Sequence, residues 1–315
     1  MFDETYYAKD ACLYLGLGQD FCTAPLATEQ SWVHPPLGKW LIAAGIKFFG
    51  YDAFGWRVSS AVFGTVLVVL VFVLARTLFR DRAVAGLAGF LAATDFMLVV
   101  QSRIAMLDIF LAFFVVLGFL FLTFDRNALL LQREHLRLPF PEKPPERNIE
   151  WRFAAGAAFG LAVAVKWSAV WALIGAGILA LAWSYGVAKE RTRSKATSDS
   201  GNRWFVNELS LTFLSMVALP LFAYAMGYTL WLFENGFDFK EFYELQDRML
   251  RFHLDLKATH GYQSKAWTWP LVIRPVAYFY EGEPKSVHVM SFGNPAVWWA
   301  AIPAGLYLAF RSLRS

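Results

Sequence analysis

Asp3 and Glu4 stand side by side in the run Phe2-Asp3-Glu4-Thr5-Tyr6-Tyr7, and Arg103 and Asp108 lie together at the junction of two later apolar segments. Ionised side chains beside hydrocarbon are costly unless they are wet and in use. A carboxylate can accept the proton of an attacking hydroxyl, and the planar fork of an arginine can clamp a phosphate. Adjacent residues diverge on any regular element, so one acid of the pair can face a reacting group while the other anchors the loop. Plainer roles exist for both pairs. Two acids at the start of a helix are favoured by its macrodipole, and Arg103 with Asp108 can form an ion pair across a turn.

Three further side chains belong with this set. Lys166, in Lys166-Trp167-Ser168, is either an interface anchor or a second cation for a phosphate. His34 precedes Pro35 and Pro36, which hold its backbone extended, and it can bond a substrate or cap the helix that follows. Cys12 and Cys22 are the only cysteines; they form either a bridge or two buried thiols. No His, Cys and Glu cluster has zinc spacing, and no glycine-rich phosphate loop or Ser-His-Asp pattern is present.

The elements that must carry these residues are membrane helices. The chain has 315 residues, 57% hydrophobic and 17% charged, where a soluble domain carries about 25% charge. Apolar blocks predict spans over 58–75, 83–101, 105–124, 153–186, 209–233 and 294–310. Residues 36–50 are too short and too charged to span; they suit an interfacial helix with Lys39 and Lys47 reaching water and Trp40 at headgroup depth. The net charge of +4 comes from basic loops, not from a basic and aromatic groove, which excludes a nucleic-acid partner.

Those basic loops set the orientation. Arg76, Arg80 and Arg82, then Arg126 through Arg152, then Lys189 through Arg203, all read as cytoplasmic. The block 153–186 would be about 51 Å long as one helix, which is long for a single crossing. Two short helices meeting at Lys166-Trp167-Ser168 let both flanking loops be cytoplasmic. The acidic motif, the Arg103–Asp108 turn, Lys166 and the loop 234–293 then share the outer face, where disulfides persist. The expected division is a first outer loop with interfacial helix (1–57), membrane helices (58–233), a long outer loop (234–293) and the start of a C-terminal helical part (294–315). Residues 137–148, rich in proline, read as extended, and 192–203 as a flexible linker.

Taken in order, these runs resemble the protein O-mannosyltransferases, the bacterial type in particular. The resemblance rests on Phe2 to Tyr7, His34-Pro35-Pro36-Leu37-Gly38-Lys39, Phe54-Gly55-Trp56-Arg57, Ser102 to Phe110 and Lys166-Trp167-Ser168. It continues through His260-Gly261-Tyr262-Gln263-Ser264 and Trp269-Pro270-Leu271, so it covers nearly the whole chain. It implies an all-α polytopic membrane protein with the GT-C fold, here without the family's first span and last C-terminal spans. It implies transfer of mannose from polyprenyl-phosphate mannose to serine or threonine hydroxyls of exported proteins, with inversion at the anomeric carbon. Such a protein is expected in the plasma membrane, among its lipids, with an extracytoplasmic site that can receive acceptors from the protein-export machinery.

Residue by residue, the resemblance makes Asp3 the general base and Glu4 its partner. Arg103 matches a family arginine needed for activity, to which we assign the carrier phosphate, with Asp108 orienting it. His34, Lys166 and His260 are expected to contact substrate. No metal cofactor is required, although Asp3 and Glu4 are a possible seat for a divalent cation. The alternative is another GT-C transferase that moves aminoarabinose or a pentose from polyprenyl phosphate to a lipid or glycan.

Overall fold

The structure is a computed structural model that describes residues 3–22, 31–138, 145–193, 201–257, 262–281 and 287–314. His260 therefore lies outside the described residues, as do 139–144 of the proline-rich stretch and 194–200 of the expected linker. The helices are α1 (Glu4–Tyr14), α2 (Leu37–Phe49), α3 (Gly55–Phe79), α4 (Arg82–Ala93), α5 (Phe96–Gln101) and α6 (Asp108–Leu136). There follow α7 (Glu150–Val165), α8 (Ala169–Arg193), α9 (Gly201–Phe213), α10 (Leu219–Gly227), α11 (Thr229–Glu234), α12 (Phe239–Asp255) and α13 (Pro295–Arg314). Among the described residues, four helical stretches are long and apolar enough to cross a bilayer: α3, α6, α8 and the continuous Gly201–Gly227. This is a multi-pass membrane protein.

The block 153–186 is indeed two helices. Lys166 leaves the helical region, with φ −158° and ψ 132°, and ends α7 before α8 begins at Ala169. Small residues let α7 pack deep inside the bundle: a Cβ on Gly156 would stand 1.7 Å from the Ser215 carbonyl oxygen. That oxygen belongs to a π-helical turn, Leu214–Ala218, between α9 and α10. Pro220 follows at the start of α10, and the slipped hydrogen-bond register accommodates its missing N–H.

Several expectations are corrected. The span predicted over 83–101 is broken at Asp95, whose carboxylate caps α5 by accepting from Met97 and Leu98 N–H. Its second oxygen accepts from Asn294 N–H at 2.9 Å and Trp298 Nε1–H at 3.1 Å, tying the break to α13. Lys39 does not reach water. It is fully buried against Asp10, 2.8 Å away, and also donates to the Ser31 carbonyl, while Lys47 is exposed as expected. The segment 234–293, expected as one long outer loop, contains α12, a 3₁₀ turn (Ala266–Leu271) and an antiparallel hairpin of β1 (Val276–Glu281) and β2 (Val287–Ser291) within an otherwise helical fold.

Arg147 and Arg152, expected among the basic loop residues, are buried in a polar network. Arg152 bonds Asp125, Glu208, Thr212 and Ser184 at 2.8–3.1 Å, and Arg147 bonds Asp125 and Glu208. Two guanidinium groups against two carboxylates leave no net charge, which is what makes the burial tolerable. Asp125 sits about 25 Å along α6 from Asp108. The network therefore occupies the opposite end of the bundle from the acidic motif.

Candidate active site

Asp3 precedes α1, and its carbonyl accepts the N–H groups of Tyr6 and Tyr7, both at 3.0 Å. This turn fixes its direction, and the Tyr7 hydroxyl donates to its Oδ2 at 3.4 Å. Tyr7 is buried in the main core, and α1 packs against α2. The Asp3 side chain is half-buried. Burial raises its carboxyl above the ordinary range, opposed by the nearby Lys166 ammonium and by the Tyr7 hydrogen bond. Tyr7 itself is pushed far up by burial and by Asp3 and Asp108, so it stays protonated as a donor.

Glu4 points the other way. Its two oxygens meet Arg57 Nε and Nη2, each at 2.7 Å, and Oε1 also accepts from Ala105 N–H at 2.9 Å. Glu4 thus joins the start of α1 to the start of α3 and to the turn between α5 and α6. That turn carries Arg103. A cation shared by Asp3 and Glu4 would have to displace Arg57, and no group of three or more metal-ligating side chains is found among the described residues.

Asp108 opens α6, and its Oδ1 accepts from Lys166 Nζ at 2.9 Å. The ion partner of Asp108 is therefore Lys166 and not Arg103, which is exposed on its turn. The pair is only partly covered, with side chains 27% and 34% exposed, so it remains open to solvent. His34 lies beside this cluster, next to Tyr7. Its ring lies 6.2 Å from that of Tyr7 and stacks on His253 of α12 at 5.7 Å. Burial, with Lys166, Lys39 and His253 adding to it, pushes His34 down to about 3, so it is neutral.

Four side chains near this cluster have no role assigned from the sequence. Arg57 and Tyr7 both fell inside runs that carried the resemblance. His253 and Tyr278 lie far along the chain, in α12 and β1. Tyr278 accepts from the Gln101 amide at 2.5 Å. Burial and the negative charge of Asp108 push its phenol up to about 12. Next to Lys166, Trp167 donates to the Tyr224 hydroxyl at 2.9 Å. Trp167 also lines an apolar groove of about 950 Å³ that runs between α8, α9, α10 and α12 past Ile174, Phe213 and Leu221.

The geometry joins a carboxylate of raised proton affinity to a partly solvated cation and an apolar channel. The family model for dolichyl-phosphate-mannose-protein mannosyltransferase matches residues 47–231. The chain belongs to this family of protein O-mannosyltransferases. A second model, the C-terminal four-helix region of protein O-mannosyltransferases, matches residues 238–313. The chain is 32% identical to a polyprenol-phosphate-mannose–protein mannosyltransferase of Mycobacterium tuberculosis over 99% of its own length and 65% of the relative's. It thus spans about two thirds of that protein.

Among solved structures, the S. cerevisiae protein O-mannosyltransferase Pmt1-Pmt2 complex bound to the sugar donor superposes with a TM-score of 0.54 at 19% identity. The match covers 72% of this chain and 29% of that one. ArnT from Cupriavidus metallidurans superposes with a TM-score of 0.50, also at 19% identity, covering 86% of this chain and 42% of that one. Both share the GT-C membrane fold with this protein.

Proposed function

We propose that this protein transfers mannose from polyprenyl-phosphate mannose to serine or threonine hydroxyls of exported polypeptides, inverting the anomeric carbon. Asp3 accepts the hydroxyl proton while the oxygen forms its bond to C1. The C1–O bond to phosphate breaks, and its electron pair leaves with the lipid phosphate. Lys166 and Arg103 meet that developing charge, and Asp108 positions Lys166 rather than Arg103. Glu4 is a positioning residue that fixes α1 against the Arg103 turn through Arg57. The apolar groove beside Trp167 takes the isoprenoid tail, and the displacement does not require a metal.

The observation that carries this reading is the Lys166–Asp108 pair beside Asp3, with Glu4 turned away and fully engaged. It supports one base and one phosphate-facing cation, which is all that a direct displacement needs. The Cys12–Cys22 disulfide supports a site on the extracytoplasmic face of the plasma membrane. The fold alone is compatible with the aminoarabinose or pentose reading; the match to the mannosyltransferase family model favours the first. Membranes containing the protein, given polyprenyl-phosphate mannose and a threonine-containing peptide, should yield mannosylated peptide. Transfer only to lipid or glycan, with the peptide unlabelled, would overturn the proposal.

A further inference from the structure

A second, smaller pocket of about 190 Å³ opens beside His34, walled by Tyr14, Trp32, Tyr228, Trp231 and Leu245. Four of these walls are aromatic rings, Ser31 also lines it, and no Lys, Arg, Asp or Glu is among the described residues around it. The rings are held in place by their own contacts. Tyr14 stacks on Trp40 at 4.5 Å, Trp32 meets Phe252 edge-on at 5.6 Å, and Trp231 lies 6.1 Å from Phe242. The volume is below the range of about 300–1,000 Å³ for whole small-molecule ligands. It suits one uncharged side chain.

We propose that this pocket binds an apolar side chain of the acceptor polypeptide, close to the serine or threonine that is modified. The inference rests on the protein-acceptor reading above. His34 forms a wall of the pocket, its ring contacts Tyr7, and Tyr7 bonds Asp3. The pocket is therefore two side chains away from the proposed base. An extended peptide advances about 3.3 Å per residue, so a residue some two to four positions from the hydroxyl reaches the pocket. The isoprenoid groove shares no lining residue with this pocket and does not compete for its space.

The test uses peptides with one threonine in an alanine and glycine background and a single leucine moved through four positions on either side. At one position leucine should lower KM about tenfold relative to glycine, with kcat little changed. Trp231→Ala, which removes a wall, and Ser31→Leu, which fills the space, should each erase that preference while transfer to the leucine-free peptide persists. A preference that survives both variants, or no preference at any position, would overturn the pocket while leaving protein mannosylation intact. Loss of transfer to every peptide in both variants would also overturn it, since the residues would then serve the fold. Failure of the unaltered protein to label any peptide would instead overturn the acceptor reading and the pocket together.

Discussion

Glu4 and Arg57 meet fork to fork, with both carboxylate oxygens 2.7 Å from guanidinium nitrogens on a helix that begins at Gly55. The geometry divides the labour between adjacent acids. Asp3 lies against Tyr7 and near Lys166, while Glu4 binds α1, α3 and the Arg103 turn into one unit.

Glu4→Gln should therefore act on structure first. It removes the charge from a bidentate pair, at a cost of about 1.5–3 kcal/mol. Thermal unfolding in detergent should show a lowered Tm, with transfer reduced at all donor concentrations. Arg57→Ala should produce a similar loss, and the double variant should cost less than the sum of the two. Additive losses would separate the two residues.

Lys166 and Asp108 form the other decisive contact. Lys166→Met should raise the KM for polyprenyl-phosphate mannose and lower kcat together, because the charge on the departing phosphate grows in the transition state. Asp108→Asn should lose about tenfold to a hundredfold in kcat/KM by freeing the ammonium from its place. Arg103→Lys should also be damaging, since an ammonium cannot reproduce a two-pronged contact. Steady-state kinetics on each variant check these outcomes, and unchanged donor KM in both Lys166→Met and Arg103→Lys would remove the phosphate assignment.

The pH dependence follows from burial. Transfer requires ionised Asp3, whose proton affinity is raised, so the acid limb of the rate profile should fall at a pH above that of an ordinary carboxylate. Lys166 opposes that rise, and Lys166→Met should move the limb further up. For stability, His34 is depressed to about 3 in the folded protein, whereas an unfolded histidine titrates near 6.5. Unfolded chains take up a proton that folded His34 refuses. Stability should decline as pH falls from about 6.5 towards 3, and His34→Gln should flatten that decline. Unfolding midpoints across that window provide the check.

Much of this was legible in the sequence because charge in a membrane protein is sparse and therefore informative. Counting basic loops was enough to split 153–186 at Lys166, and spacing was enough to bring the acidic motif, Asp108 and Lys166 to one end of the bundle. The span expected over 83–101 is not continuous because Asp95, an acid inside an apolar run, caps a helix and ends the span, which a count of apolar residues does not register. Lys39 was misread because its partner, Asp10, lies on a different helix, and only packing buries the pair. Arg147 and Arg152 were taken as loop charges for the same reason. Pairing of Glu4 with Arg57 and of Asp108 with Lys166 depends on which helices touch, and no local pattern encodes that.

The disulfide gives an independent expectation. Cys12 and Cys22 close a short loop around the C-terminal end of α1, and removing that constraint should cost about 2–3 kcal/mol. A reducing agent should lower the unfolding midpoint, and Cys12→Ala should lower it by the same amount. Equal stability with and without reductant would mean that the link is not formed in the isolated protein.

The central claim is that Asp3 takes the proton of the attacking hydroxyl, and Asp3→Asn tests it most directly. Asparagine keeps the shape and removes the base. Mannose transfer from polyprenyl-phosphate mannose to a threonine peptide should fall by about 10²–10⁴-fold in kcat, with donor binding and thermal stability retained. Transfer within a factor of two of the unaltered protein would contradict the account.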